Sequence, residues 1–276
     1  MNKNFAIIGY PLDYTLSPLI HNYWFELYNL PYNYLKLPLI SNQPIAELKR
    51  TINSHLLGGF NITVPFKQSF INDVQLATSS LNKIGAINTV KINQYSNLLG
   101  YNTDYLGFMQ NLKLKKFNVK GKAALIIGAG GVARAIIQAL LDLEISEIYI
   151  ANRSLTRVSE LQQTFPQVNL YHQGLNLEQI ALVINATSLV TLADYPIHIN
   201  FSELSKDSLI YDVVYKPYTT ELIQKAQEYS LNYIEGIELL LAQAQHSFEI
   251  WFDIFPTITN ELLSKIGKFS VHPKSQ

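Results

Sequence analysis

Residues 123–142 read AALIIGAGGVARAIIQALLD, an apolar run that breaks into glycines and resumes at once with helical spacing. No other stretch constrains the fold as strongly. Apolar residues at every position suit a strand buried on both faces, which is the habit of parallel sheets covered by helices. Gly128, Gly130 and Ala133 match the pattern G-x-G-x-x-G/A, with Gly131 between them. The first glycine permits a tight turn, the second lets a pyrophosphate approach the backbone, and the small third residue packs helix on strand. The helix start adds unpaired N–H groups and a partial positive charge. Glycines also serve plain strand–helix turns, but with a strand before and a helix after, the pattern points to a bound dinucleotide.

The following strand bears on which dinucleotide. It ends at Asn152-Arg153-Ser154, roughly twenty residues on, where an acidic residue usually takes the ribose hydroxyl of NAD. Here there is no acid. Arg153, with Arg157 one helical turn later, suits the 2′-phosphate of NADP instead. The alternative is a solvated basic helix start, which the helix dipole disfavours unless an anion offsets it.

The same alternation of strands and helices runs along the chain. Before the glycine turn come FAIIGY, YNYLKLPL, GGFNITVP and the extended pair INTVKI and LLGYNTD, with helices at SPLIHNYWFELYN and IAELKRTINSH. Ser17 reads as an N-cap and Pro18 as the first helical residue. After the turn come EIYIANR, LVINATS and LIYDVVY, with RVSELQQTF helical and a long apolar helix beginning near Gly236. The expectation is two α/β domains with a cleft between them. The N-terminal one, residues 1–104 plus 236–276, has a mostly parallel sheet and takes the substrate; residues 105–235 form a Rossmann-like cofactor domain. Ligands in such folds sit at the carboxyl ends of strands.

Composition removes other function classes. Twenty-one basic residues balance twenty-one acidic ones, so no net field favours nucleic acid or an anionic membrane. The seventeen tyrosines have no interleaved basic residues and read as core and cleft walls rather than base-stacking platforms. Absence of cysteine excludes disulfides and thiolate chemistry and fits a reducing compartment. The six histidines lack metal spacing, so no metal is expected; His21 and His246 read as packing residues. No apolar run is long enough for a membrane span or a secretion signal. These features fit a soluble cytoplasmic protein with a small-molecule substrate, as monomer or homodimer.

Within NITVPFK, Lys67 follows a buried strand and a proline, a costly place for a cation without a partner. Asp104, in YNTD, occupies a comparable strand end, and Asn88, in GAINT, a similar place. A lysine beside a carboxylate can hand a proton to a carbonyl oxygen as hydride reaches the carbon; a buried ion pair joining strand ends is the other reading.

These segments, with LSPLIHN, GAGGVARA, ANRSLTR, NATS, DVVYKPYTT and GIELLLAQA in the same order, resemble shikimate dehydrogenase over nearly the whole chain. The resemblance implies NADPH-dependent reversible reduction of 3-dehydroshikimate to shikimate, a step toward aromatic amino acids. It implies Lys67 and Asp104 as the catalytic pair. Thr15 and Ser17 would hold the substrate carboxylate, while Thr63, Asn88 and Gln243 would meet the ring hydroxyls, with Asn61 shaping the turn. Asn152, Arg153, Ser154 and Arg157 would clamp the 2′-phosphate. Gly236 and Leu239 would face the nicotinamide, with Thr187 and Tyr215 beside cofactor and substrate. The sequence departs from the family at Thr15, Tyr105, Val190 and Leu239. Those departures also suit a shikimate-dehydrogenase-like paralogue of lower activity; the alternative enzyme is a quinate/shikimate dehydrogenase or a paralogue acting on a related hydroxy acid. A catalytically silent NADP-binding redox sensor would have no use for Lys67, Asp104, Asn88 and Gln243 together.

Overall fold

A computed structural model describes residues 3–40 and 44–267. The chain divides into two compact units. One holds residues up to 78, 87–103 and those from 244 on; the other holds 79–86 and 104–243.

The first unit is built on six strands: β1 (Asn4–Gly9), β2 (Asn33–Pro38), β3 (Leu57–Ile62), β4 (Gln75–Leu76), β5 (Thr89–Ile92) and β6 (Leu98–Tyr101). Their order is β2-β1-β3-β5-β6-β4. Only β5 runs against its neighbours, antiparallel to both β3 and β6, which agrees with a mostly parallel sheet and with the extended pair read in the sequence. All six residues of β3 are buried, as befits a strand between two others with both faces covered. Helices α1 (Ser17–Leu27) and α2 (Pro44–Ser54) belong to this unit. Ala6, Ile8, Phe60, Ile62, Phe70 and Val90 anchor one core cluster.

Rings fill the rest of this unit's interior: Phe5 contacts Phe25, Tyr32, Trp251 and Phe252. Gly59 makes room for one of them. A Cβ there would lie 2.8 Å from Trp251 Cδ1 and 2.9 Å from the Val90 carbonyl, and that carbonyl accepts the Trp251 indole N–H at 3.0 Å.

His21, on α1, is wholly enclosed by this ring cluster, stacked on Tyr34 at 4.4 Å and 9°. Neither ring nitrogen has a hydrogen-bond partner among the described residues, and burial lowers its pKa from 6.5 to about 3. An unfolded chain therefore takes up a proton below pH 6.5 that the folded chain refuses until about pH 3. Stability contributed here is complete above pH 6.5 and falls with pH by up to ~1.4 kcal/mol per unit until that lower limit. His21→Phe, which keeps an aromatic ring, is expected to flatten the acid side of a melting-temperature profile. An unchanged acid limb would show that His21 does not contribute to it.

The second unit carries β7 (Ala123–Ile127), β8 (Glu147–Ala151), β9 (Val168–Leu170), β10 (Ile180–Asn185), β11 (Leu209–Asp212) and β12 (Asn232–Ile234), all parallel, in the order β12-β11-β10-β7-β8-β9. This is the doubly wound order, with the switch point between β7 and β10. Helices α3 (Ser80–Ile84), α5 (Gly131–Asp142), α6 (Leu155–Thr164) and α7 (Glu221–Glu228) belong to it, as does α4 (Thr103–Leu114) from Asp104 on. Of α8 (Gly236–Phe252), the residues to Gln243 group here; α9 (Asn260–Lys265) is in the first unit.

Three segments group differently from the segmentation expected from sequence: residues 79–86, Asp104 and 236–243 all go with the second unit. Side chains and close packing account for this. Arg134 of α5 donates from Nε to the Ile84 carbonyl at 2.6 Å and from an Nη to Thr164 Oγ1 at 3.1 Å, which ties down the end of α3. A Cβ on Gly107 would lie 2.8 Å from the Gln243 nitrogen, so α4 and α8 pack backbone to backbone. Leu239 is part of the second unit's main core cluster.

Candidate functional site

In the first unit, polar side chains gather at the carboxyl ends of β1 and β3. Helix α1 starts at Ser17 with Pro18 second, and Leu16, not Ser17, occupies the N-cap place with αR backbone and no side-chain cap. The expected cap is therefore absent. The Ser17 hydroxyl is instead buried, 3.3 Å from Thr15 Oγ1, which donates to it and also accepts the Ser17 N–H. Two neighbouring hydroxyls next to a helix start form a neutral donor pair suited to a carboxylate.

Register explains the next group. Asn61 on β3 lies opposite Thr89 on β5, and its Nδ2 donates to Thr89 Oγ1 at 2.9 Å, Ser247 Oγ at 3.0 Å and the Asn88 carbonyl at 3.2 Å. Asn88 is oriented from the other side. Its Oδ1 accepts the Thr103 N–H at 2.6 Å and the Thr103 hydroxyl at 3.1 Å, so its Nδ2 is left as the group that can serve a hydroxyl ligand. Thr63 follows β3, where its N–H donates to Ile8. Lys67 is half-buried, and its carbonyl accepts the Ile87 N–H at 2.8 Å, next to Asn88. Lys67 groups with the first unit and the buried Asp104 with the second.

The second unit presents its own site at the β7/β10 switch point. Gly128 has φ +112°, and a Cβ there would meet Thr187 Cγ2 at 2.8 Å and the Ala186 carbonyl at 2.9 Å; only glycine suits that position. Gly130 caps α5 with no side-chain bond, and a Cβ on it would have nothing within 4 Å. Open space thus lies on the side of Gly130 where a Cβ would stand, at the start of the helix, and buried Ala133 lets the helix lie close to the sheet. These residues fit a dinucleotide pyrophosphate.

At the end of β8, Asn152 Nδ2 donates to the Ser154 carbonyl at 2.9 Å, and Ser154 Oγ caps α6 by accepting the Arg157 N–H. Arg153 and Arg157 are exposed, with no ion pair among the described residues. The donor set fits a 2′-phosphate. Thr187 is fixed through Asn185, whose Oδ1 accepts its hydroxyl at 2.6 Å and its N–H at 3.1 Å. Asn185 in turn donates to Asp212 at 2.9 Å. Burial pushes the Asp212 carboxyl up to about 6, against bonds from Thr220, Val214 and Asn185. Gly236 packs its backbone on Val214 at the start of α8. Tyr215 and Gln243 are half-buried, and Gln243 Nε2 donates to Leu240 at 2.8 Å. Leu239 is 5% exposed, its side chain committed to the core.

Tyr34, Thr89, Thr103, Ser247, Asn185 and Asp212 escaped the sequence reading. A signal existed for Ser247, four residues beyond Gln243 on one helix, and for Asp212, a carboxylate closing an apolar strand. Nothing distinguished Tyr34 among seventeen tyrosines. Among the described residues no cluster could hold a metal ion, and no helix is long and apolar enough to cross a membrane.

Two family models match: the shikimate dehydrogenase substrate binding domain over residues 7–90, and shikimate / quinate 5-dehydrogenase over 111–199. A shikimate dehydrogenase (NADP(+)) of Pelagibacter ubique (strain HTCC1062) is 35% identical over 264 residues, covering 96% of this chain and 98% of that one. The chain belongs to the shikimate dehydrogenase family. A shikimate dehydrogenase structure from Aquifex aeolicus superposes with a TM-score of 0.85 at 29% identity, covering 96% and 98% of the two chains. Another, from Thermus thermophilus in complex with NADP(H) and shikimate, gives 0.82 at 25%, covering 97% and 100%. Like its shikimate dehydrogenase relatives, this chain is an oxidoreductase with a two-domain α/β fold.

Proposed function

We propose that this chain is an NADP-dependent enzyme interconverting shikimate and 3-dehydroshikimate on the route to aromatic amino acids, with Lys67 and Asp104 as its catalytic pair. The observation that carries the reading is the likeness to a shikimate dehydrogenase (NADP(+)) over 98% of that relative's length. The site residues support it. Thr15 and Ser17 receive the ring carboxylate as hydroxyl donors, and Thr63, Asn88 Nδ2 and Gln243 take ring hydroxyls. Lys67 donates a proton to the ketone oxygen on reduction and receives it back on oxidation, and Asp104 orients Lys67 and one ring hydroxyl. When bound, NADP supplies or accepts the hydride. Gly128, Gly130 and Gly131 hold the pyrophosphate, Ala133 sets the helix close, and Arg153 and Arg157, framed by Asn152 and Ser154, hold the 2′-phosphate. Thr187, Tyr215 and Gly236 border the nicotinamide end, and Leu239 backs it from the core. The enzyme works in the cytoplasm, as monomer or homodimer.

Product identification tests this reading. Shikimate and NADP incubated with the protein should yield 3-dehydroshikimate in amounts matching NADPH formed, by chromatography and mass spectrometry. Recovery of unchanged shikimate with active turnover of quinate would assign the protein to the quinate side of the family. NADPH binding with no turnover of either acid would favour the redox sensor.

A further inference from the structure

Asp212 closes β11 and is wholly buried, as is Asn185 opposite it at the end of β10. A carboxylate out of reach of water is costly unless donors surround it, and the proposed chemistry makes no use of this one. Three donors reach it. Oδ1 accepts Asn185 Nδ2 at 2.9 Å and the Val214 N–H at 2.9 Å, and Oδ2 accepts the Thr220 hydroxyl at 2.6 Å.

Donor accounting fixes what lies beyond Asn185. Its amide nitrogen has two protons; one goes to Asp212 and the other to the Leu189 carbonyl at 3.0 Å. With Nδ2 held on that side, Oδ1 faces Thr187, where it accepts the N–H at 3.1 Å and the hydroxyl at 2.6 Å. The Thr187 oxygen in turn accepts the Leu189 N–H at 3.0 Å. Residues 186–189 are thereby folded round one amide whose orientation Asp212 sets. This loop lies against the glycine turn: the Ala186 N–H donates to the Ile127 carbonyl at 2.8 Å, and a Cβ on Gly128 would meet Thr187 Cγ2. Val214, held by the same carboxylate, supplies the backbone on which Gly236 packs.

We propose that Asp212 is a positioning residue for the dinucleotide, fixing the Thr187 loop against the glycine turn through Asn185 and anchoring the Val214 backbone directly. The inference rests on the reading of the β7/β10 switch point as the dinucleotide site. Its two loops follow β10 and β11, whereas Arg153 and Arg157 follow β8. The effect therefore falls on the part of the nucleotide that NADP and NAD share.

Fluorescence titration of NADPH and of NADH into the wild-type protein and Asp212→Ala, alongside melting temperatures, provides the test. The expected result is a Kd raised about tenfold for both nucleotides, the scale of one or two neutral hydrogen bonds. Their affinity ratio should hold, and the KM for shikimate at saturating NADP should stay within about twofold. Thr187→Val, which cuts the line at its far end and keeps the shape of the side chain, should weaken both nucleotides as well. In the double variant the two losses should not add, because they break one line. Unchanged affinities with a lower melting temperature would overturn the proposal and leave Asp212 a structural residue. So would a loss for NADPH alone, or full additivity in the double variant. Where Asp212→Ala does not fold, Asn185→Ala breaks the same line at its middle and takes its place, with the same outcomes. A wild-type protein that binds both nucleotides but oxidises no shikimate would end the functional reading alone, and the titrations would still decide Asp212. Binding of neither nucleotide would overturn both.

Discussion

Replacing Lys67 by alanine is expected to lower kcat by about a hundredfold or more, the usual scale of a lost general acid–base group. The KM for NADP should change by no more than about twofold, because the dinucleotide residues belong to the second unit. The substitution is mild for the fold. Lys67 engages β5's approach through its carbonyl, which accepts the Ile87 N–H, and alanine keeps that bond. Its neighbour Phe66 remains stacked on Phe70 at 5.5 Å. A fall in kcat at constant melting temperature therefore reports chemistry. A near-wild-type rate would remove Lys67 from the mechanism and leave it a strand-end cation.

Arg153→Ala carries the second large effect. It should weaken NADPH binding about ten- to a hundredfold, the range of a hydrogen bond to a charged group, while NADH binding moves by a few-fold at most. The guanidinium is exposed at the end of β8. The α6 cap belongs to Ser154 and the local backbone bond to Asn152, so neither depends on Arg153. The result that counts is the ratio of the two affinities, measured by nucleotide fluorescence titration. Equal losses for both nucleotides would sink the assignment of a 2′-phosphate to this corner and open the way to an NAD-preferring enzyme.

How much of this was readable in the chain follows from what each element buries. β7 and β10 lie inside a covered parallel sheet, so their residues are apolar almost throughout and stand out from the flanking polar turns. The edge strands β4, β9 and β12 are two or three residues long, QL, VNL and NYI, too short to show a period. α3 has five residues and depends on Arg134, fifty positions away from Ile84, for its anchor. That reach of one side chain placed residues 79–86 outside the sequence segmentation. The nucleotide turn announced itself because glycine is required where φ is positive and where no Cβ fits.

Side-chain networks were harder to foresee. Ser17 has the residue type of a cap, yet Leu16 takes the N-cap place and the buried Ser17 hydroxyl pairs with Thr15. The family resemblance implies a turn-shaping role for Asn61, whereas strand register places it opposite Thr89 at the centre of a buried polar group. Tyr105, a departure from the family pattern, donates its hydroxyl to Asp142 at 2.8 Å and packs its ring on the second unit's core. That gives the added bulk a structural use. Such pairings depend on register and on which face a helix turns, and neither can be computed from local spacing.

The most direct measurement follows nicotinamide absorbance in four parallel reactions of purified protein, pairing shikimate or quinate with NADP or NAD. Rapid reduction of NADP by shikimate, with the other three pairs far slower, is the predicted result. Faster reduction of NAD than of NADP by shikimate, or no reduction in any of the four, would contradict an NADP-dependent shikimate dehydrogenase.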